Sequence, residues 1–218
     1  MKKIIFPALF FLLISFGVTG CAKNYKNVRV DINRATTGGE PQSIGVPDFD
    51  IKATGGARIG KSVTDMLVTA LVKTKRFRVV ERSALEKVMQ EHQLQLSGAI
   101  DTSTAIKIGK LLGLKYIILG SVSQYSPSVH TGGVPLFFYK NWDHYTEVTL
   151  DARIVDVQTG TVVASGTGYG NWGKGWWKFG RHSVYDEEPG EGDIESGVVN
   201  NAVRNAVNSL MNDLLKEI

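Results

Sequence analysis

The stretch with the most chemical promise is Gly55-Gly-Ala-Arg-Ile-Gly-Lys-Ser62. Its spacing fits G-x-x-x-x-G-K-[ST], a loop whose backbone N–H groups and lysine cradle nucleotide phosphates. An apolar run, Ile44 to Phe49, precedes it, and an amphipathic run from Ile59 follows. The competing reading makes Lys61 an ordinary residue at a helix start. No apolar strand ending in Asp offers a magnesium-binding partner; the nearest, Ile154-Val155-Asp156, leads into a turn. The four histidines, His92, His130, His144 and His182, are dispersed without metal-ligand spacing. No G-x-S-x-G nucleophile motif is present. Asp186, Glu187, Glu188, Glu191 and Asp193 form an acidic loop, open to reading as a calcium site or as a solvated turn. Nothing here argues for an enzyme, and no cofactor is called for.

The N-terminus bears directly on the phosphate-loop reading. Lys2 and Lys3 precede the almost wholly apolar Ile4–Phe16 and then small residues, the layout of a secretory signal. That run falls short of the ~20 residues that span a bilayer. The segment ends Val18-Thr19-Gly20-Cys21, which resembles the bacterial lipobox, where the thiol is acylated and the chain is cut before it. Cys21 is the only cysteine, so no intramolecular disulfide can occupy it. Ala22, rather than Asp, follows it; by resemblance to sorted lipoproteins this points to the outer membrane. A lipid-tethered periplasmic chain meets no ATP pool, so no nucleotide partner is expected. The formal charge of +4 drops to about +2 without Lys2 and Lys3, too weak to argue for nucleic acid.

The expected organisation is a signal peptide at 1–20, a lipidated Cys21 with a polar tether to residue 42, and one α/β domain over 43–218. Ile44, Val46 and Phe49 suggest a short strand broken by Pro47. Ile59, Val63, Met66, Leu67, Ala70 and Leu71 recur at helical spacing. Phe77–Val80 reads as a strand. Ser83-Ala-Leu-Glu86 reads as a capping box opening a helix that runs to about His92. Asp101 or Thr102 caps a third helix that buries Ala105, Ile106, Ile108, Leu111 and Leu112 and ends at Gly113. Lys115–Val122 is a buried strand. Val148, Leu150, Ala152 and Ile154 alternate with polar residues, and Gln158-Thr-Gly160 turns the chain back along Thr161–Thr167. A last helix from about Glu195 carries the stripe Val199, Ala202, Val203, Ala206, Leu210, Met211 and Leu214.

Two long segments, 124–145 and 168–194, fit this domain poorly. Loops of that length are usually functional. They hold all four tryptophans, Trp142, Trp172, Trp176 and Trp177, together with Phe137, Phe138 and Tyr139. Aromatics of this kind concentrate at membrane–water interfaces; the alternative packs them back onto the sheet.

The runs VPDF, then IG with DMLVTALVKTKRFRVVERSALEKVMQEHQLQLSG, then TAIKIGKLLGLKYIILGSV resemble the CsgG/HfaB family of outer-membrane lipoproteins over about residues 43–165. The segment Tyr125–Val134 looks like the start of that family's first membrane hairpin. The resemblance implies an anticodon-binding-domain-like periplasmic domain and a homo-oligomeric ring. In that ring two β-hairpins per subunit, here 124–154 and 162–195, build a shared barrel that exports protein subunits. Accessory envelope lipoproteins are the alternative partners. It also implies a constriction loop after the first strand, here starting Phe49, Asp50, Ile51, Lys52. The loop from Asp50 to Gly60 holds no Tyr, Phe or Asn, a departure from the curli channel. Relatives have an Ile-Gly turn entering the first helix where this chain has Ile59-Gly60, which makes Lys61 a helix-start residue.

Physical chemistry supports hairpins of this length. A membrane strand needs about 9–11 residues, and 124–134 and 142–153 supply two arms. Tyr125, Pro127 and Val129 alternate with Gln124, Ser126, Ser128 and His130, an apolar and a polar face. Pro127 removes a ladder donor. In the second candidate, Gly168, Gly170, Gly173 and Gly175 read as flexible backbone, and Lys174, Lys178, Arg181 and His182 would need the lumen or the rim. Four strands cannot close a barrel and open edges are not tolerated in hydrocarbon, so insertion requires a ring.

Overall fold

The computed structural model describes residues 27–30, 40–55, 59–92, 101–134, 139–179 and 196–218. In chain order the elements are β1 (Gln42–Gly45), β2 (Asp50–Ile51), α1 (Ile59–Lys73), β3 (Phe77–Val79), α2 (Arg82–Glu91), α3 (Thr102–Leu111), β4 (Tyr116–Val134), β5 (Tyr139–Asp156), β6 (Val162–Phe179) and α4 (Ser196–Leu214). They form one mixed sheet ordered β3-β1-β4-β5-β6, with the two-residue β2 also on β4. β1 runs parallel to β3 and to β4, while β4, β5 and β6 form an antiparallel meander.

Alternation along β4 splits the core in two. Ile118 and Val122 face α1 and α4, in a cluster with Leu67, Leu71, Leu150, Ile154, Leu210 and Met211. Ile117 and Leu119 face α2 and α3, with Leu85, Met89 and Ile108. Helices therefore cover both faces at the base of the sheet, and each strand's period of two feeds both layers. The expected α/β class is the one observed.

Local capping differs from expectation in one place. The capping box at Ser83–Glu86 does not form. The N-cap of α2 falls two residues earlier, at Glu81, which makes no side-chain cap bond, and Glu86 takes the Arg82 guanidinium at 2.8 Å. Arg82 also pairs with Asp48, so Glu86 is drawn to a charge rather than to an amide. At α3 the expected cap is present: Asp101 accepts the N–H groups of Ser103 and Thr104 at 2.8 and 3.0 Å. These bonds, the Ser103 hydroxyl first, hold the Asp101 carboxyl well below the usual range. Leu111, expected inside, is 52% exposed, because α3 buries the narrower stripe Ala105, Ile108 and Gly109.

The β5–β6 turn falls where the sequence places it. The Gly160 N–H donates to Asp156 O at 2.8 Å, and Gly160 takes φ 73°, a conformation that favours glycine. The Asp156 carboxylate accepts the Gln158 and Thr159 N–H groups and pairs with Lys115 Nζ at 2.7 Å. That closes the base of the meander across its first and second strands.

Candidate functional site

The part of the fold that its core does not require is the far end of the meander. β4 and β5 stay in register from Gln124 opposite Thr149 out to Val134 opposite Tyr139. β6 follows β5 from Thr149 opposite Tyr169 out to Tyr139 opposite Phe179. Eleven residues of β4 past the last core pair extend roughly 36 Å at ~3.3 Å each. These strands extend the sheet itself. The hairpin expected over 124–154 is the β4–β5 pair. Of the one expected over 162–195, the outgoing arm is β6, laid on β5, and residues 180–195 lie outside the described residues.

A bulge decides which side chains face which way. Val122 stands opposite Leu150, but Gln124 stands opposite Thr149, so Ser123 is one residue extra on β4. Beyond it the odd-numbered β4 residues turn to the α4 side, and Tyr125 packs on that core. The even-numbered Gln124, Ser126 and Ser128 then share a face with Thr149, Glu147 and Tyr145. That face is polar and bonded across strands. The Thr167 hydroxyl donates to Asp151 Oδ1 at 2.7 Å, and the Tyr169 hydroxyl donates to Glu147 Oε1 at 2.8 Å. Tyr145 donates to the same Glu147 oxygen, and Asn171 Nδ2 to the Tyr169 hydroxyl at 3.2 Å.

The opposite face of β6 receives α4 at backbone contact. A Cβ added at Gly168 would lie 2.2 Å from Ala206 O, and one at Gly170 would lie 2.2 Å from Ala202 O. Far from giving flexible backbone, these glycines, with Ala202 and Ala206 opposite, let a helix lie flat on the strand. Helix α4 and the residues just after it also serve the outer edge of β6. Asp213 Oδ2 accepts the Thr167 N–H at 3.2 Å, Glu217 Oε2 accepts the Ser165 N–H at 3.0 Å, and Asn205 Nδ2 donates to Asn171 O at 3.1 Å. The Asp213 carboxyl lies below its usual range, held first by Lys216 and then by the Thr167 amide.

The expected site residues are distributed unevenly over this frame. Phe49 is buried beneath Gly120, and Asp50 and Ile51 pair with Ser121 and Val122. The Lys52 N–H donates to Val122 O at 3.1 Å. Of these four, Asp50 and Lys52 line a polar cleft of about 620 Å³ with Asp151, Arg153, Asp213 and Glu217. Trp172 is half-buried against the α1–α4 core. Trp142 stands opposite Trp176, Asn141 opposite Trp177 and Tyr139 opposite Phe179, register positions at the far end of β5 and β6. Cys21, Phe137 and Phe138 lie outside the described residues. At the phosphate-loop motif, α1 starts at Ile59, Lys61 is exposed in its first turn, and a Cβ on Gly60 would meet Ile51 Cδ1 at 2.6 Å. That glycine serves packing against β2. Among the described residues no cluster of His, Cys, Asp or Glu is placed to hold a metal, and no helix is long and apolar enough to cross a membrane, which says nothing of strands.

A mixed sheet with helices on both faces at its base, three of whose strands run on beyond it, defines an α/β domain that projects a β-meander. The chain belongs to the CsgG family: the family model described as curli production assembly/transport component CsgG matches residues 27–218. Curated relatives of that same description, from Escherichia coli K12 and Salmonella typhimurium LT2, are 26% identical over 115 residues. The match takes in 49% of this chain and 42% of those relatives, less than half their length. Among solved structures, the LpoB C-terminal domain from Salmonella enterica aligns at 21% identity and TM-score 0.46, over 60% of this chain and 82% of that one. Lipoprotein GNA1162 from Neisseria meningitidis aligns at 19% identity and TM-score 0.44, over 73% and 96%.

Proposed function

We propose that this chain is an outer-membrane lipoprotein, acylated at Cys21 and facing the periplasm, that works as one subunit of a homo-oligomeric ring. The ring is a secretion or anchoring pore for curli-like or other extracellular polymer subunits. It performs no catalysis. The observation that carries this reading is the meander beyond Ser123. One face is polar and cross-bonded, the other carries Tyr125, Pro127 and Val129, and among the described residues the outer edges of β4 past Gln124 and of β6 past Trp172 have no strand partner. Open edges are not stable in hydrocarbon, and identical copies joined edge to edge remove them.

A second reading has its own support. His144 is 4% exposed and Thr146 fully buried, so strand β5 is still covered by protein at that level. The length left for lipid then begins past His144. In this reading the same domain is a non-pore periplasmic lipoprotein, and its aromatic end docks on an envelope protein.

One experiment separates the two. Ser128 stands opposite Tyr145, so residues 129–144 can be replaced by Asn-Gly to close a short hairpin. In the pore reading the native protein forms rings in detergent micrographs and conducts in planar bilayers, and the shortened protein does neither. A native protein that stays monomeric in detergent and lipid overturns the pore.

A further inference from the structure

Three asparagines on α4, at Asn205, Asn208 and Asn212, reach beyond the sheet and the proposed pore wall, and Asn205 also bonds Asn171 of β6. All three bond the main chain of residues far upstream. The Val28 N–H donates to Asn205 Oδ1 at 2.9 Å, Asn208 Nδ2 donates to Val28 O at 2.7 Å, and Asn212 Nδ2 donates to Arg29 O at 2.8 Å. Val30 packs on the α1–α4 core. The spacing of three and four puts the amides on one helix face. Asn205 is 2% exposed, so its bond to Val28 is shielded from water. Of the polar tether expected over 22–42, residues 27–30 are thus held on α4.

We propose that residues 27–30 are a strap clamped by Asn205, Asn208 and Asn212, and that the strap fixes where an N-terminal anchor leaves the domain. The strap runs along α4 in the helix's own direction, from Asn205 toward Asn212. The Asn205 end lies against Asn171 of β6, and beyond Asn171 β6 continues into the extended meander. The N-terminal end of the strap at Val28 therefore lies on the side of the extended strand ends. From Val28 to Cys21 is seven residues, about 24 Å of fully extended chain. Measured from Ser43, a free tether would reach about three times as far. The clamp thus holds the domain close to whatever surface receives Cys21, and turns the strand ends toward that surface. The second statement rests on Cys21 being the anchor; the clamp itself does not.

Hydrogen exchange on the Cys21→Ala protein in solution tests the clamp free of the lipid question. The Val28 amide is expected to exchange at least tenfold more slowly than an unstructured amide. The Asn208→Ala/Asn212→Ala pair should remove roughly tenfold of that protection. The Leu150 amide in β5 reports that each variant is folded. Direction is read by disulfide formation in the same background: Val28→Cys with Asn205→Cys should form at least tenfold faster than Val28→Cys with Asn212→Cys. A wild-type Val28 amide exchanging at the unstructured rate overturns the clamp, as does a double variant protected like the wild type. Equal or reversed disulfide rates overturn the exit direction.

Discussion

Gly168 and Asp156 show how much of this architecture hangs on single side chains. At Gly168 the obstacle to any Cβ is chiefly the α4 backbone, Ala206 O at 2.2 Å and Leu210 N at 2.8 Å, which cannot swing away. Gly168→Ala is expected to cost about 3 kcal/mol or more, since overpacking against movable neighbours already costs 1–3. Gly166→Ala should cost visibly less, because its added Cβ would lie 3.1 Å from an Asp213 side chain that can shift. Urea denaturation of the soluble Cys21→Ala form checks both, and equal losses would refute the backbone contact. Asp156 carries a pH signature. Hydrogen bonding from Lys115, then from the Thr159 amide, lowers its carboxyl to about 2. A depressed carboxyl stabilises the fold above the ordinary range, near pH 4, and that contribution disappears as pH falls toward 2. Asp156→Asn should therefore be less stable than wild type by a constant amount above about pH 5. The gap should close between about pH 4 and 2 in a urea series.

At the scale of elements, what repeats in sequence was legible and what depends on a partner was not. The stripes of α1, α3 and α4 and the alternation of Val148, Leu150, Ala152 and Ile154 follow from periodicity alone, so the elements and the α/β class could be read. So could the alternation of the arm from Gln124 to Val129. Gly168 and Gly170 looked like slack chain, because their meaning lies in Ala202 and Ala206 more than thirty residues away. The three clamping asparagines read as ordinary polar positions on a helix, since their partners are main-chain groups of Val28 and Arg29. Phe49 looked available for a constriction because nothing in its neighbourhood announces Gly120 above it. The same logic gives α4 a second duty that composition does not reveal, which is to occupy the edge of β6. Asp213→Ala with Glu217→Ala leaves the Thr167 and Ser165 N–H groups open to another strand. The soluble form of that double variant should self-associate at concentrations where wild type is monomeric, by light scattering at pH 7. Unchanged scattering would show the edge is guarded by something else.

For the whole molecule, family membership and the projecting meander point the same way, and the anchor proposed at Cys21 would tie them to a surface. Cys21→Ala should abolish palmitate labelling and release the protein from the membrane fraction as an uncleaved or soluble form; a labelled variant would remove the lipid from the account. Lys61 should be dispensable, and equilibrium dialysis of the mature protein should show no ATP binding that Lys61→Ala removes. The bulge at Ser123 carries a consequence for how such chains diverge. Sidedness of the projecting arm is set by the count of residues below it, not by the residues within it. Losing Ser123 would change the length by one and leave every residue from Gln124 to Val134 unaltered, yet it would bring the serines round to the greasy side and the tyrosine, proline and valine to the wet one. A point insertion or deletion there is thus an inversion, which substitution alone could equal only by changing residue after residue along the arm.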